Sequence, residues 1–175
     1  MAQRRAGKLV LVTGGARSGK SRFALDRARE SGERLAYVAT ARPGDPEMEA
    51  RIARHRSERG DGWLLIEEPD DPAGALSSLG AEAVVLDCLT LWLSNLLERR
   101  KDEEILEEDA PRLLAAAGRF QGLLVVVTNE VGLGIVPATP LGRRFRDVAG
   151  FVNQRFATEA DEVYVIWAGM PQRLK

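Results

Sequence analysis

The sequence predicts an α/β fold, a mostly parallel sheet flanked by helices, on three observations. Short apolar runs rich in β-formers recur along the chain, stretches of helical length separate them, and a glycine-rich turn follows the first run. Taken in order, KLVLVT gives a strand at 8–13, and the pattern after the glycines gives a helix at 20–31, with Gly32 as its stop. RLAYVA gives a strand at 34–39, and a helix at 46–58 follows, with Pro46 suited to its first turn and Gly60 to its end. WLLIE at 63–67 and AVVLD at 83–87 are strand-sized. Helices are expected at 89–99 and 103–118, a strand at 123–128 (LLVVVT), a helix at 140–160 and a strand at 162–167 (EVYVIW). The charged tract from Glu98 to Asp109 reads as a solvated connection between two helices. VGLGIVPATPLG reads as a long loop on the carboxyl edge of the sheet, where such folds bind ligands.

At 175 residues the chain has the size of one domain, spanning 1–175, and a fold this large buries roughly 70% of its unfolded surface without staples. With 25 basic and 26 acidic side chains the formal net charge is -1, which removes the strongest reason to expect a nucleic-acid partner. The single cysteine, Cys88, excludes an internal disulfide and suits a reducing, cytoplasmic setting, where it reads as a small buried apolar residue. No apolar run approaches the ~20 residues of a membrane span, and the basic start followed by a short apolar run reads as a first strand. Trp63, Trp92 and Trp167 all lie in apolar patterns and are expected in the core.

The turn after the first strand is Gly14-Gly15-Ala16-Arg17-Ser18-Gly19-Lys20-Ser21, which matches G-x-x-x-x-G-K-[ST] between a strand and a helix. Glycines let successive backbone N–H groups turn onto phosphate oxygens, and the helix N-terminus favours the anion. Lys20 is expected on the β- and γ-phosphates, and Ser21 on a magnesium ion. Asp87 ends AVVLD, where a carboxylate at a strand's carboxyl edge can hold Mg²⁺, often through water. Two strands stand between the loop's own strand and that of Asp87. This fits a RecA-like P-loop NTPase somewhat better than a compact nucleoside-monophosphate kinase, although spacing does not fix strand order. Thr128-Asn129-Glu130 would sit beside the loop if its strand neighbours the first; turn chemistry by Asn is the alternative.

His55 is the only histidine. On a helix at 46–58 it shares a stripe with Met48 and Ile52, while Glu47, Arg51, Arg54 and Glu58 lie on another face at i,i+4 spacing. It is either a satisfied core histidine or, beside a nucleotide, a nucleophile toward phosphorus. Arg56 and Arg59 flank it and can meet phosphate, base or solvent, and Arg17 inside the loop is a nearer phosphate contact.

Together LVTGGARSGKSRFAL, YVATA, EMEARIARHRSER, LDCLTLWLSNLL, VVVTNEVGLGIVP and FRDVAGFVNQRFATEADEVY resemble the bifunctional adenosylcobinamide kinase/adenosylcobinamide-phosphate guanylyltransferase family of cobalamin biosynthesis. The likeness runs from about Leu9 to the C-terminus. It implies a RecA-like enzyme that assembles as a homotrimer and phosphorylates adenosylcobinamide with ATP or GTP. GMP is then transferred from GTP through a guanylyl-histidine, giving adenosylcobinamide-GDP. By matching position, nucleotide contacts fall on Gly14 to Ser21, on Ala39, Thr40 and Ala41, on Arg56, Ser57, Glu58 and Arg59, and on Glu67 and Asp87, with His55 carrying GMP. Some members have two adjacent histidines where this chain has Arg54-His55. Two rival readings stand beside this one: a P-loop kinase or NTPase without guanylyl transfer, and a GTP-regulated switch, whose Asn-Lys-x-Asp signature Asn129-Glu130-Val131-Gly132 does not supply.

Overall fold

The computed structural model describes residues 7–44 and 46–175. One seven-stranded sheet runs in the order β3-β2-β4-β5-β1-β6-β7. Its strands are β1 (Lys8–Gly14), β2 (Leu35–Ala39), β3 (Trp63–Glu67), β4 (Ala83–Asp87), β5 (Leu123–Val127), β6 (Glu162–Trp167) and β7 (Met170–Arg173). The first six are parallel and β7 returns antiparallel along β6. AVVL of β4 and all of LLVVV in β5 are buried, as central parallel strands covered on both faces require. β5 lies between β1 and β4, so the order that spacing leaves open is the RecA-like one.

The helices are α1 (Lys20–Arg29), α2 (Pro46–Arg59), α3 (Pro72–Ser77), α4 (Leu89–Leu97), α5 (Asp102–Glu104), α6 (Ala110–Arg119) and α7 (Pro140–Glu159), with a π turn at Ile105–Asp109 joining α5 to α6. α3 is absent from the sequence reading. Asp71 caps it by accepting from the Gly74 N–H at 2.9 Å, with Pro72 in the first turn. Thr139 and Pro140 start α7 in the same way. β7 is also absent from that reading, because MPQR is exposed throughout and lies on the sheet edge, where proline is tolerated.

The charged tract is a connection only over Glu98–Lys101, which corrects the sequence reading; from Asp102 the chain is helical. Arg100 pairs with Glu108 at 2.5 Å and Asp109 at 3.1 Å, and Arg144 pairs with Asp102, so these charges neutralise one another while Ile105 turns into the core.

The two faces of the sheet are covered unequally. On one, α3, α4, α6 and α7 pack Leu93, Leu113, Phe156 and their neighbours over Leu9, Leu11, Leu86 and Leu124. On the other, among the described residues α1 alone contributes buried apolar helical side chains, Ala24, Leu25 and Ala28, against Val10, Val12, Val85 and Val125. Tyr37, Ala39 and Leu65 of β2 and β3 face this thinly covered side, and a cavity forms there.

Trp92 is buried as expected, but Trp63 is half-buried and Trp167 is 51% exposed, which corrects the expectation for both. Trp63 stands on edge strand β3, with its ring 6.3 Å from that of Tyr37. Trp167 ends β6 where the chain turns into the open-edge hairpin with β7. That hairpin touches the loop after β1: the Gly169 N–H donates to the Ser18 carbonyl at 2.9 Å. At the opposite end of β6, buried Glu162 accepts from Lys8 at 2.5 Å, Tyr164 at 3.1 Å and Arg27 at 3.4 Å. The Lys8 hydrogen bond leads in holding its carboxyl far below the usual range, down to about 2.

Candidate active site

The loop from Gly14 to Lys20 is shaped by its glycines. A side chain on Gly14 would stand 2.6 Å from the Ile166 carbonyl, so only glycine lets β1 and β6 close at this level. Gly19, at φ 100°, holds the left-handed conformation at the N-terminus of α1. Arg17 also adopts positive φ, at 55°, and is exposed at the loop's crest. Lys20 is 94% buried; its ammonium donates to the Gly15 carbonyl and lies 3.5 Å from the Ser18 hydroxyl. Residues 16–21 of the loop line a cavity of about 830 Å³.

Asp87 faces the same cavity from β4. Its Oδ2 accepts from the Ser21 hydroxyl at 2.6 Å and from the Tyr37 phenol at 2.8 Å. Burial, reinforced by the Asp87 charge, pushes the Tyr37 phenol well above its usual range, so Tyr37 stays a donor. A hydroxyl and a carboxylate in contact at the foot of a phosphate loop form a hard oxygen pair that suits Mg²⁺, which keeps its remaining positions for water and phosphate oxygens. Among the described residues no cluster of three or more His, Cys, Asp or Glu side chains forms a protein-only metal cage. Burial raises the neighbouring Cys88 thiol to about 12, consistent with an inert packing residue.

α2 supplies another wall. Met48, Ile52 and His55 are half-buried and line the cavity, so His55 is a cavity residue and not a core one. Arg54 lines the cavity as well. The side chains of Arg51 and Glu58 lie outside the described residues, and with them the expected i,i+4 pairs. Arg59 is 94% buried, with its guanidinium 4.8 Å from the centre of the Tyr37 ring. Arg56 pairs with Glu67 at 3.3 Å, both well exposed.

Other expected residues divide. Ala39 and Ala41 line the cavity. Thr40 does not; its hydroxyl is buried, donating to the Cys88 carbonyl at 2.7 Å and accepting the Cys88 N–H at 2.8 Å, which fastens the end of β2 to that of β4. Ser57 is exposed and off the cavity wall. Sequence reasoning named Tyr37 only as part of a strand, and left Ser94, Leu91 and Phe145 of the lining unmentioned. Asn129 and Glu130 line the cavity beside the loop, as the β1–β5 pairing dictates.

A RecA-like sheet whose first strand feeds a phosphate loop, with a carboxylate two strands away on the same edge, defines a nucleotide-binding protein of the P-loop NTPase class. Solved structures agree on the fold: flagellar accessory protein FlaH from Methanocaldococcus jannaschii superposes with a TM-score of 0.55 at 14% identity, over 96% of this chain and 78% of that one. The RadB recombinase does so at 0.52 with 20% identity, over 90% of this chain and 73% of that one. The family described as "Cobinamide kinase / cobinamide phosphate guanyltransferase" matches residues 10–174, and the chain belongs to it. The bifunctional adenosylcobalamin biosynthesis protein CobP of Pseudomonas aeruginosa is 46% identical over 168 residues, 94% of this chain and 96% of that protein. The similarly described CobU of Escherichia coli K12 is 39% identical over 181 aligned positions, 95% of this chain and 99% of that protein.

Proposed function

We propose that this chain is a single-domain bifunctional transferase of cobalamin biosynthesis, which phosphorylates adenosylcobinamide and then transfers GMP to the product through a guanylyl group on His55. The observation that carries the histidine role is the shared cavity: His55 faces the same space as Lys20, Ser21 and Asp87.

In the kinase step the loop's N–H groups and Lys20 hold the β- and γ-phosphates of ATP or GTP, and the acceptor hydroxyl attacks the γ-phosphorus. In the second step an unprotonated His55 nitrogen attacks the α-phosphorus of GTP. The N–P bond forms, the bond to the bridging oxygen breaks, and pyrophosphate leaves into the cradle that held it. A phosphate oxygen of adenosylcobinamide phosphate then attacks the same phosphorus, frees the imidazole and yields adenosylcobinamide-GDP. Ser21 and Asp87 would hold Mg²⁺, which supplies charge neutralisation of the phosphates. Lining positions make Arg17, Ala39, Ala41, Arg56, Arg59 and Glu67 the better-supported nucleotide contacts of the expected set.

We further infer a homotrimer in the cytoplasm without a nucleic-acid partner. Support comes from the family likeness, the net charge of -1, and the exposed Leu133, Ile135 and Val136 of the loop after β5 with Leu141 and Phe151 of α7, apolar side chains of the kind that association covers. No described helix is long and apolar enough to cross a membrane.

The deciding experiment is incubation with GTP labelled at the α-phosphate. An acid-labile, alkali-stable adduct should form on His55, and equal labelling of His55→Ala would overturn the covalent role. His55→Asn should abolish guanylyl transfer and leave γ-phosphoryl transfer largely intact.

A further inference from the structure

The cavity offers four carboxylates, Glu47, Glu67, Asp87 and Glu130, and three of them are poorly placed to take a proton at the γ-phosphorus. Asp87 already accepts the Ser21 and Tyr37 hydroxyls. Glu67 is paired with Arg56 against the α2 wall. Glu47 is exposed in the first turn of α2.

Glu130 is different. β5 stands between β1, which carries the phosphate loop, and β4, which carries Asp87, so the chain leaving β5 emerges between the two phosphate-binding elements. Pairing with β1 continues beyond the strand's end. The Thr128 N–H donates to the Val12 carbonyl at 2.9 Å and the Glu130 N–H to the Gly14 carbonyl at 3.1 Å, so Glu130 is stitched to the first residue of the loop. Neighbouring side chains brace the segment: the Thr128 hydroxyl donates to Asn153 Oδ1 at 2.7 Å, the Asn153 amide to the Asn129 carbonyl at 3.2 Å, and the Asn129 amide to the Thr90 hydroxyl at 2.7 Å. Glu130 Oε1 accepts the Gly132 N–H at 2.8 Å, and among the described residues nothing donates to Oε2. A carboxylate fixed by its backbone to the start of the loop, on the wall of the cavity that Lys20 also lines, is placed for proton abstraction from a hydroxyl that attacks a γ-phosphate.

We propose that Glu130 is the general base of the kinase step. As the acceptor oxygen bonds to the γ-phosphorus and the β,γ-bridging bond breaks, the hydroxyl proton passes to the Glu130 carboxylate and the nucleoside diphosphate leaves. The assignment rests on the kinase activity proposed above, and it gives Glu130 no part in the attack of His55 on the α-phosphorus, which involves no hydroxyl proton.

The test measures γ-phosphoryl transfer from ATP or GTP to adenosylcobinamide, and α-phosphate labelling of His55, in wild type, Glu130→Gln and Glu130→Asp. Expected for Glu130→Gln is a fall in kinase kcat of about 100-fold or more, with nucleotide KM and His55 labelling each within about threefold of wild type. Glu130→Asp should recover part of the rate, and its kcat should still fall at acidic pH while that of Glu130→Gln does not. A Glu130→Gln kcat within about threefold of wild type, or parallel loss of kinase rate and His55 labelling, overturns the base assignment. Absence of γ-phosphoryl transfer in wild type would instead overturn the kinase reading itself.

Discussion

Lys20 and His55 face one cavity, yet the phosphate loop is rooted in the core while the helix that carries the histidine is not. On the loop side, Lys20 is buried, Gly14 is packed against β6, Ser21 is bonded to Asp87, and the following helix buries Ala24, Leu25 and Ala28 against the sheet. α2 contributes no apolar side chain to either core cluster among the described residues. Its firmest described side-chain anchor is Arg59, lying over Tyr37, with the Arg59 carbonyl accepting from Arg29 at 2.9 Å. The difference teaches that phosphate geometry is preorganised by packing, whereas the described anchors of the histidine's helix are polar and cation–π contacts at its carboxyl end. Gly60 and Gly62 follow at φ 70° and 89°, a backbone that glycine adopts without strain.

The largest effect should come from the loop side. Lys20→Ala should lower both γ-phosphoryl and guanylyl transfer by about a thousandfold, since one ammonium serves both phosphate chains. Rates within a few fold of wild type, measured under saturating nucleotide, would break the shared-cradle reading. On the α2 side, Arg59→Leu should lower guanylyl transfer roughly tenfold and the kinase rate by less, because it loosens the anchor of the histidine helix and leaves Lys20 and Asp87 in place. Equal losses in single-turnover assays of the two steps would show that α2 matters to both.

The smallest effect lies outside the cavity and gives a control for core rigidity. Glu162→Gln should leave both rates unchanged and destabilise the fold by about 1–3 kcal/mol near neutral pH, with the partly exposed Lys8 screening part of the pair. Because the native carboxyl is held down to about 2, its stabilisation is present above the unfolded-state range near ~4.3 and is lost as pH falls from there toward 2. Thermal unfolding should therefore separate wild type from Glu162→Gln at pH 7 and bring them together near pH 2. A constant gap across that range would refute the ionic origin.

The sequence carried the phosphate side of the site more fully than the α2 side, for physical reasons. GGARSGKS encodes a backbone shape, and a shape imposed by glycines and a helix start is readable locally. The helical stripe of Met48, Ile52 and His55 was readable too, from periodicity alone. What it faces was not, because that depends on which sheet face lacks helices, and strand order is a long-range property. Tyr37 shows the same limit: a tyrosine in YVATA is an ordinary strand residue until β2 is seen beside β4, where its hydroxyl reaches Asp87. Arg56 read as available for phosphate, and only the β3 neighbour Glu67 shows it engaged. Asp71-Pro72 did carry a local helix-start signal, and α3 was legible from it.

The hydrogen bond from Gly169 to Ser18 connects the hairpin turn that leads into β7 to the phosphate loop. β7 is an exposed edge, and edges open at lower free-energy cost than cores. The loop is therefore moored to one of the sheet's softest parts as well as to its hardest. Fraying that spares every core residue would still release Ser18 on one side, so nucleotide affinity should soften with temperature well before the fold melts. A ligand that grips the loop should, by the same reciprocity, hold the carboxyl-terminal strand in place.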